Sequence, residues 1–354
     1  MFINPFGGKR KGPQIYKDKV EPVFKLAGVS TDVIMTERAN HARDNLQDIS
    51  TPIKDYDGFV CVGGDGMFSE MVNGIIVRTQ LEQGVNYQSP DVKLCRPGIP
   101  IGVIPAGSTD AVAFGVTGIN DPVTSAIHVI FGKSVSIDVS AVHDSFNDDR
   151  FLRYVTSVLG YGFLADVLLE SEKNRWMGPK RYDWAGFKKL LSLKSYAGEI
   201  KLRVSAIDGS PRDVDLCESE CALCAKSLLR SKYSANETSA EVSDDPSEKS
   251  PSSVLTIRGR FLSVNAATMA CRCVKSRKGL SPAAHLGNGC SDLIVVSECS
   301  RLDYIRFLMR TGFSTNQSAV STIPLSPGLS CSHFPGAHCS LIICRVSGED
   351  DGSD

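Results

Sequence analysis

Gly63-Gly64-Asp65-Gly66 brings together groups that suit phosphate chemistry. The four residues follow the apolar run Phe59-Val60-Cys61-Val62 and precede Met67-Phe68-Ser69-Glu70. The pattern reads as a buried strand, a tight turn and the start of an amphipathic helix. Glycines let backbone N–H groups approach a phosphate closely, and a helix N-terminus adds partial positive charge. Asp65 then stands where an anionic substrate and a metal would meet. Taken alone, the same pattern also serves as a structural turn.

Thiols form a second candidate group. Cys217, Cys221 and Cys224 make a CxxxCxxC, with Cys271 and Cys273 further on. Such a set could hold zinc, although the spacing is not that of a standard finger or ribbon. Ordinary reduced thiols in a loop are the alternative reading, and both stay open. Arg301 to Arg310 is basic and amphipathic, a pattern suited to calmodulin, to an anionic lipid surface, or to simple packing at a domain edge.

The elements that must position these groups alternate. Phe2-Ile3 reads as a first strand, and Ile15, Val20, Val23, Phe24 and Ala27 as one face of a helix. Thr31 to Met35 reads as a second strand, with Thr36 as the cap of the next helix. Phe59–Val62 and Ile101–Ile104 are the third and fourth strands. A doubly wound parallel sheet follows, whose ligands sit at the carboxyl ends of its strands. After about residue 135 the texture turns to β: Ser136–Val142, Tyr154–Leu159, Leu202–Ile207, Val254–Val264 and Leu293–Val296. Helical periods are expected only near Phe163–Trp176 and Trp184–Leu193. Domains are therefore expected at 1–135 (α/β), 136–311 (mostly antiparallel β-sandwich, with a disordered insertion at 232–253) and 312–354 (a poorly ordered tail with one strand at Ser340–Val346).

The bulk properties fit this reading. The chain has 354 residues, enough for a sizeable core and two domains. With 39 basic and 40 acidic residues its net charge is −1, which gives no field for nucleic acid. No apolar run approaches the about 20 residues of a membrane span. Phe2-Ile3 runs directly into Asn4-Pro5-Phe6 without a secretory-signal pattern, and the twelve cysteines read as reduced thiols, so a cytoplasmic setting is expected.

Four segments in order resemble the diacylglycerol/sphingosine/ceramide lipid kinase superfamily. They are Asn4-Pro5-Phe6-Gly7-Gly8-Lys9, Thr36 to Ala42, Gly63 to Glu70, and Pro105-Ala106-Gly107-Ser108-Thr109-Asp110. Arg175-Trp176, Arg181-Tyr182-Asp183, Cys217–Cys224 and Gly279–Gly287 extend the likeness toward its ceramide kinase branch. The resemblance covers about residues 1 to 310 and implies an ATP cleft between the α/β and β-sandwich domains. It implies that Asn4, Phe6, Gly7, Gly8, Lys9, Thr36, Asn40 and Glu70 meet the nucleotide. Gly107, Ser108 and Thr109 would meet its phosphates or ribose, and Arg175 and Arg181 would hold its phosphates. Asp65 is then the base for the lipid's primary hydroxyl, with Gly63, Gly64 and Gly66 bordering the head group. ATP and Mg²⁺ follow as cofactors, with no metal ligand assigned and with Ca²⁺ and calmodulin as regulators.

Asp166 lies in the segment that matches the lipid-recognition part of sphingosine kinases. Those enzymes carry a second acid where this chain has Leu168, and a buried carboxylate without the sphingosine amine would be costly. Ceramide is therefore the expected acceptor, with sphingosine or diacylglycerol as rivals. Two departures support a further rival, an inactive variant of the same fold. Asn288 stands where the family has an acid, and the family's closing Asp-Gly-Glu strand has no counterpart. The family's pleckstrin-type membrane domain would precede Met1, so this chain is expected to be soluble or weakly peripheral at membranes.

Overall fold

The computed structural model describes residues 1–90, 92–204, 216–217, 221–226, 253–313, 331–334 and 342–345. The expected insertion at 232–253 and most of the 312–354 tail lie outside these residues.

The first half is built on four strands: β1 (Phe2–Ile3), β2 (Ile34–Met35), β3 (Phe59–Gly63) and β4 (Ile101–Pro105). They form one parallel sheet in the order β2-β1-β3-β4. Side chains alternate across it, as strand geometry demands. Phe2, Phe59 and Cys61 bury on one face, and Ile3, Val62 and Ile104 on the other. Two residues suffice for β1 because it is the buried interior strand, held by β2 and β3. The outer face is covered by α1 (Gly12–Ile15), a π-turn (Tyr16–Val20) and α2 (Glu21–Leu26). The other face takes α3 (His41–Gln47) and α4 (Asp65–Glu82). Next come α5 (Ala111–Thr117) and α6 (Pro122–Phe131), the latter capped by Asp121, whose side chain accepts from the Thr124 N–H.

Two local expectations are corrected. Thr36 does not cap α3: the helix starts five residues later, after Asn40 in the left-handed region, and the buried Thr36 hydroxyl donates instead to the Ile3 carbonyl. Nor is α4 amphipathic. It is buried from Met67 to Gln80 on nearly every side, because α3, the sheet and the second half all pack on it. Its one buried cation, Arg78, donates to the carbonyls of Asp48, Ile49 and Thr51 and pairs with Glu82.

The second half begins with a hairpin, β5 (Ser140–Asp144) and β6 (Arg150–Val155), and continues with β7 (Val158–Gly162). The expected strand Tyr154–Leu159 is thus two strands, parted at Thr156-Ser157. Then follow α7 (Phe163–Glu172), a 3₁₀ turn (Arg175–Met177), α8 (Lys180–Leu191) and β8 (Tyr196–Val204). After the short helix α9 (222–226) come β9 (Ser253–Ala267), β10 (Asp292–Ser297), α10 (Arg301–Phe313), β11 (Cys331–Phe334) and β12 (Ile342–Arg345). The order β11-β10-β9-β8-β12, with β7 also on β9, is antiparallel throughout. β8 starts earlier than its apolar pattern suggested because Glu199 and Lys201 interrupt that pattern; the two pair with each other and Glu199 also pairs with Arg258. One face of the sheet, through Leu262 and Val296, packs against Phe163, Val167, Ala185 and Tyr304 of α7, α8 and α10. Phe307 and Leu308 join that core, so α10 lies with its apolar face inward. The result is the expected α/β architecture: a doubly wound parallel sheet followed by a mostly antiparallel β unit.

Asn73 stitches the halves together. From α4 its side chain donates to the Tyr154 carbonyl at 2.9 Å and accepts from the Tyr154 N–H at 2.8 Å.

Candidate functional site

Three loops at the carboxyl ends of β1, β3 and β4 meet backbone to backbone. Asn4 curls the first, its carboxamide oxygen accepting from the N–H groups of Phe6 (2.8 Å) and Gly7 (3.0 Å). Gly8 follows at φ +54°, where an added Cβ would lie 2.7 Å from the carbonyl of Gly107. A Cβ on Gly107 would in turn come within 2.5 Å of the Gly64 Cα. Only glycine permits contacts this close. Asp110 then locks the third loop, accepting from the Gly107 N–H at 2.8 Å and from the Asn120 amide at 3.3 Å. Burial, with the nearby Asp65 charge acting the same way, pushes the Asp110 carboxyl up to about 6.

Asp65 opens α4, and its Oδ1 accepts from the Val112 N–H at 2.9 Å in the first turn of α5. Among the described residues its Oδ2 has no hydrogen-bond partner.

Beside these loops lies a cleft of about 850 Å³. Asn4, Phe6, Gly7 and Gly8 line it from the first loop, and Thr36 and Asn40 from the loop after β2. Gly66 and Glu70 reach it from α4, and Ser108 from the loop after β4. The opposite wall belongs to the second half of the chain and includes Phe151, Arg153, Gly178, Arg175 and Arg181. Residues up to 177 positions apart in sequence therefore face one space. Gly63, Gly64, Asp65 and Gly107 lie beneath the lining, and Lys9 and Thr109 are exposed beside it. Asp166 is not in the wall: it accepts from the Tyr196 hydroxyl at 2.7 Å. Leu168 is exposed on the next turn of α7.

Arg175 and Arg181 converge on Glu172, at 2.5 Å and 3.1 Å. Arg181 is largely covered and lies 4.8 Å from the Tyr182 ring centroid, whereas Arg175 is exposed. One carboxylate thus sits between two guanidiniums, the geometry in which planar donors grip an oxyanion. Glu172 was not singled out from the sequence, yet its i,i+3 spacing to Arg175 carries the signal. Asp110 was likewise missed; an aspartate three residues after a glycine is the kind of side chain that closes a turn onto backbone N–H groups.

Asn288 holds a local turn, its Oδ1 accepting from the Cys290 N–H at 3.1 Å. A charge does stand near it: the Asp138 carboxylate accepts from the Gly289 N–H at 2.7 Å, and burial raises its affinity for protons. The cysteine expectation is also refined. Cys217, Cys221 and Cys224 do come together, but the group they form includes His285, whereas Cys271 and Cys273 stand apart from it.

The sequence agrees with known families over the same two halves. Residues 1–142 match the diacylglycerol kinase catalytic domain, and residues 214–325 the ceramide kinase C-terminal domain. Human ceramide kinase is 46% identical over 320 residues, covering 90% of this chain and 57% of that protein. Ceramide kinase 1 of Caenorhabditis elegans is 32% identical over 337 residues, covering 94% of this chain and 56% of that protein. The chain thus spans a little over half the length of these relatives. A crystal structure of a diacylglycerol kinase from Bacillus anthracis str. Sterne shares the fold, with a TM-score of 0.52 at 11% identity, covering 94% of this chain and 82% of that one. The chain thus carries a diacylglycerol kinase catalytic domain match followed by a ceramide kinase C-terminal domain match, and is similar to human ceramide kinase along nine-tenths of its length.

Proposed function

We propose that this chain is the catalytic part of an ATP-dependent lipid kinase that phosphorylates the primary hydroxyl of ceramide, giving ceramide 1-phosphate and ADP. The observation that carries this reading is the convergence on one cleft of three glycine- and serine-bearing strand-end loops from one half and two arginines from the other. Backbone N–H groups near Gly7, Gly8 and Ser108 suit phosphate oxygens, and Arg175 and Arg181 supply the matching positive charge. In this reading the phosphates displace Glu172 from the arginine pair. Asp65 orients the lipid hydroxyl and takes its proton on Oδ2, while the Val112 N–H keeps the carboxylate turned. Phosphoryl transfer needs little more than such positioning and charge neutralisation. A divalent cation, magnesium here, would neutralise charge on the phosphates; Glu70 in the cleft and Asp65 beside it are oxygen donors of the kind it takes.

Ceramide is the preferred acceptor in this reading because the C-terminal part of the chain matches the ceramide kinase C-terminal domain. A lipid acceptor must be reached at a bilayer, and exposed Trp176, next to Arg175 in sequence, with exposed Leu168 and Leu169 of α7 would supply apolar contact. Calmodulin, as a regulator, would meet the outer face of α10, where Leu302 and Met309 are exposed. We divide the chain at residues 135/136, between α6 and the hairpin.

The test is phosphate transfer from labelled ATP by the purified chain, with ceramide, sphingosine and diacylglycerol offered separately. Transfer is expected with ceramide foremost, and Asp65→Asn should lower it about 10²–10⁴-fold. Equal or better transfer to sphingosine would overturn the acceptor assignment. No transfer to any lipid by a folded chain that still binds ATP would identify an inactive member of the fold.

A further inference from the structure

Cys217, Cys221, Cys224 and His285 bring their ligand atoms within 4.8 Å of one another, well away in sequence from every residue of the cleft. The Sγ atoms of Cys217 and Cys224 are 3.8 Å apart, and Cys221 Sγ lies 3.2 Å from His285 Nδ1. A tetrahedral zinc ion with bonds of about 2.3 Å to sulfur and about 2.0 Å to nitrogen requires S···S edges of about 3.8 Å and S···N edges of about 3.5 Å. The S···S edge matches its value, and the S···N edge is about 0.3 Å shorter than its own. His285 and Cys217 are buried and the other two partly so, which leaves no open coordination position.

The surroundings match as well. The Leu286 N–H points to Cys217 Sγ at 3.5 Å and the Gly287 N–H to Cys224 Sγ at 3.4 Å. Backbone donors aimed at sulfur stabilise thiolates and orient them, as outer partners of a metal site do. One buried and two half-buried thiols packed against a buried imidazole, with no cation, would instead crowd polar groups for little return.

We propose that these four residues form a closed structural zinc site of the Cys₃His type, distinct from the cleft. Zinc suits it because sulfur and imidazole ligands in a tetrahedral, fully protein-built site select that ion. The three thiols release their protons on binding. The site ties Cys217, Cys221 and Cys224 to the loop after β9, and that loop in turn grips the crossing between the halves. The Leu286 carbonyl accepts from the Asp138 N–H at 2.6 Å, and the Gly289 N–H donates to Asp138. Leu286 also packs into the core beneath the parallel sheet. The zinc would therefore hold together the two halves that form the cleft, without touching substrate.

Metal content decides the matter and does not depend on turnover, so it can fail independently of the kinase reading. The full chain, purified without chelator, should carry roughly one zinc ion by elemental analysis. Cys221→Ser and His285→Ala should lose most of it, whereas Cys273→Ser should keep it. Because the loss variants can unfold, cobalt is loaded into the unaltered chain, and the conservative His285→Cys is compared with it. Cobalt should give tetrahedral visible bands and thiolate charge-transfer absorption, which strengthens in His285→Cys. A folded chain with no zinc, no such cobalt spectrum and thiols fully reactive in the native state would overturn the proposal. So would a Cys217–Cys224 disulfide in protein kept free of oxidant.

Discussion

Glu172 holds Arg175 and Arg181 in the positions an anionic ligand would need. The pair costs little to part because Arg175 is exposed, and exposed ion pairs contribute about 0.2–1 kcal/mol. Glu172→Gln should therefore lower the KM for ATP a few-fold with kcat nearly unchanged, measured by steady-state kinetics on the purified chain. Arg181→Lys should raise that KM more than a conservative change suggests, since an ammonium cannot reproduce the planar fork. Asp110 makes a second residue-scale prediction. Its carboxyl is pushed from 3.8 up to about 6, chiefly by burial, so between those values the folded chain holds a proton that the unfolded chain has lost. Its contribution to stability is greatest below pH of about 4 and declines as pH rises to about 6. Thermal melts over that range should show this decline in the unaltered chain and lack it in Asp110→Asn.

At the scale of elements, helix α4 joins the chemistry to the architecture. Its first residue is Asp65, its second turn brings Glu70 to the cleft, and its third presents Asn73 to the Tyr154 backbone. Asn73→Ala leaves a buried N–H and a buried carbonyl of β6 without their partner. Each such loss costs about 1–3 kcal/mol, so a drop in that range or somewhat above it is expected in urea unfolding. The three loops beneath the cleft depend on α4 in the same way, because Gly64 immediately precedes it and touches Gly107. The glycines of β1, β3 and β4 were readable from sequence as phosphate-type loops; that they form one backbone-packed floor was not, since nothing in their spacing fixes which loops adjoin.

For the whole molecule, the proposed function requires two halves facing one cleft and a lipid acceptor drawn from a membrane. No helix among the described residues is long and apolar enough to cross a bilayer. Trp176, at 80% exposure, adjoins Arg175 in sequence, and Leu169 of α7 is 67% exposed. Trp176→Ala should weaken sedimentation with ceramide-containing vesicles several-fold while leaving the melting temperature and soluble ATP binding unchanged. Equal vesicle binding by the variant would remove this face from the reading.

The sequence by itself determined the parallel sheet, its order of loops and the helix that starts at Asp65. These follow from local periodicity and from glycine positions, which act over a few residues. It also carried the likeness to lipid kinases, through segments that agree in order over most of the chain. Tertiary structure decided what lies across from what. Thr36 became a buried donor to Ile3 rather than a cap, because β2 packs beside β1. Asp166 turned to Tyr196, and Glu172 came between the arginines. His285 joined Cys217, Cys221 and Cys224 in place of Cys271 and Cys273. Each of these pairings spans a distance along the chain, or a choice among equivalent partners, that side-chain chemistry cannot fix until packing does.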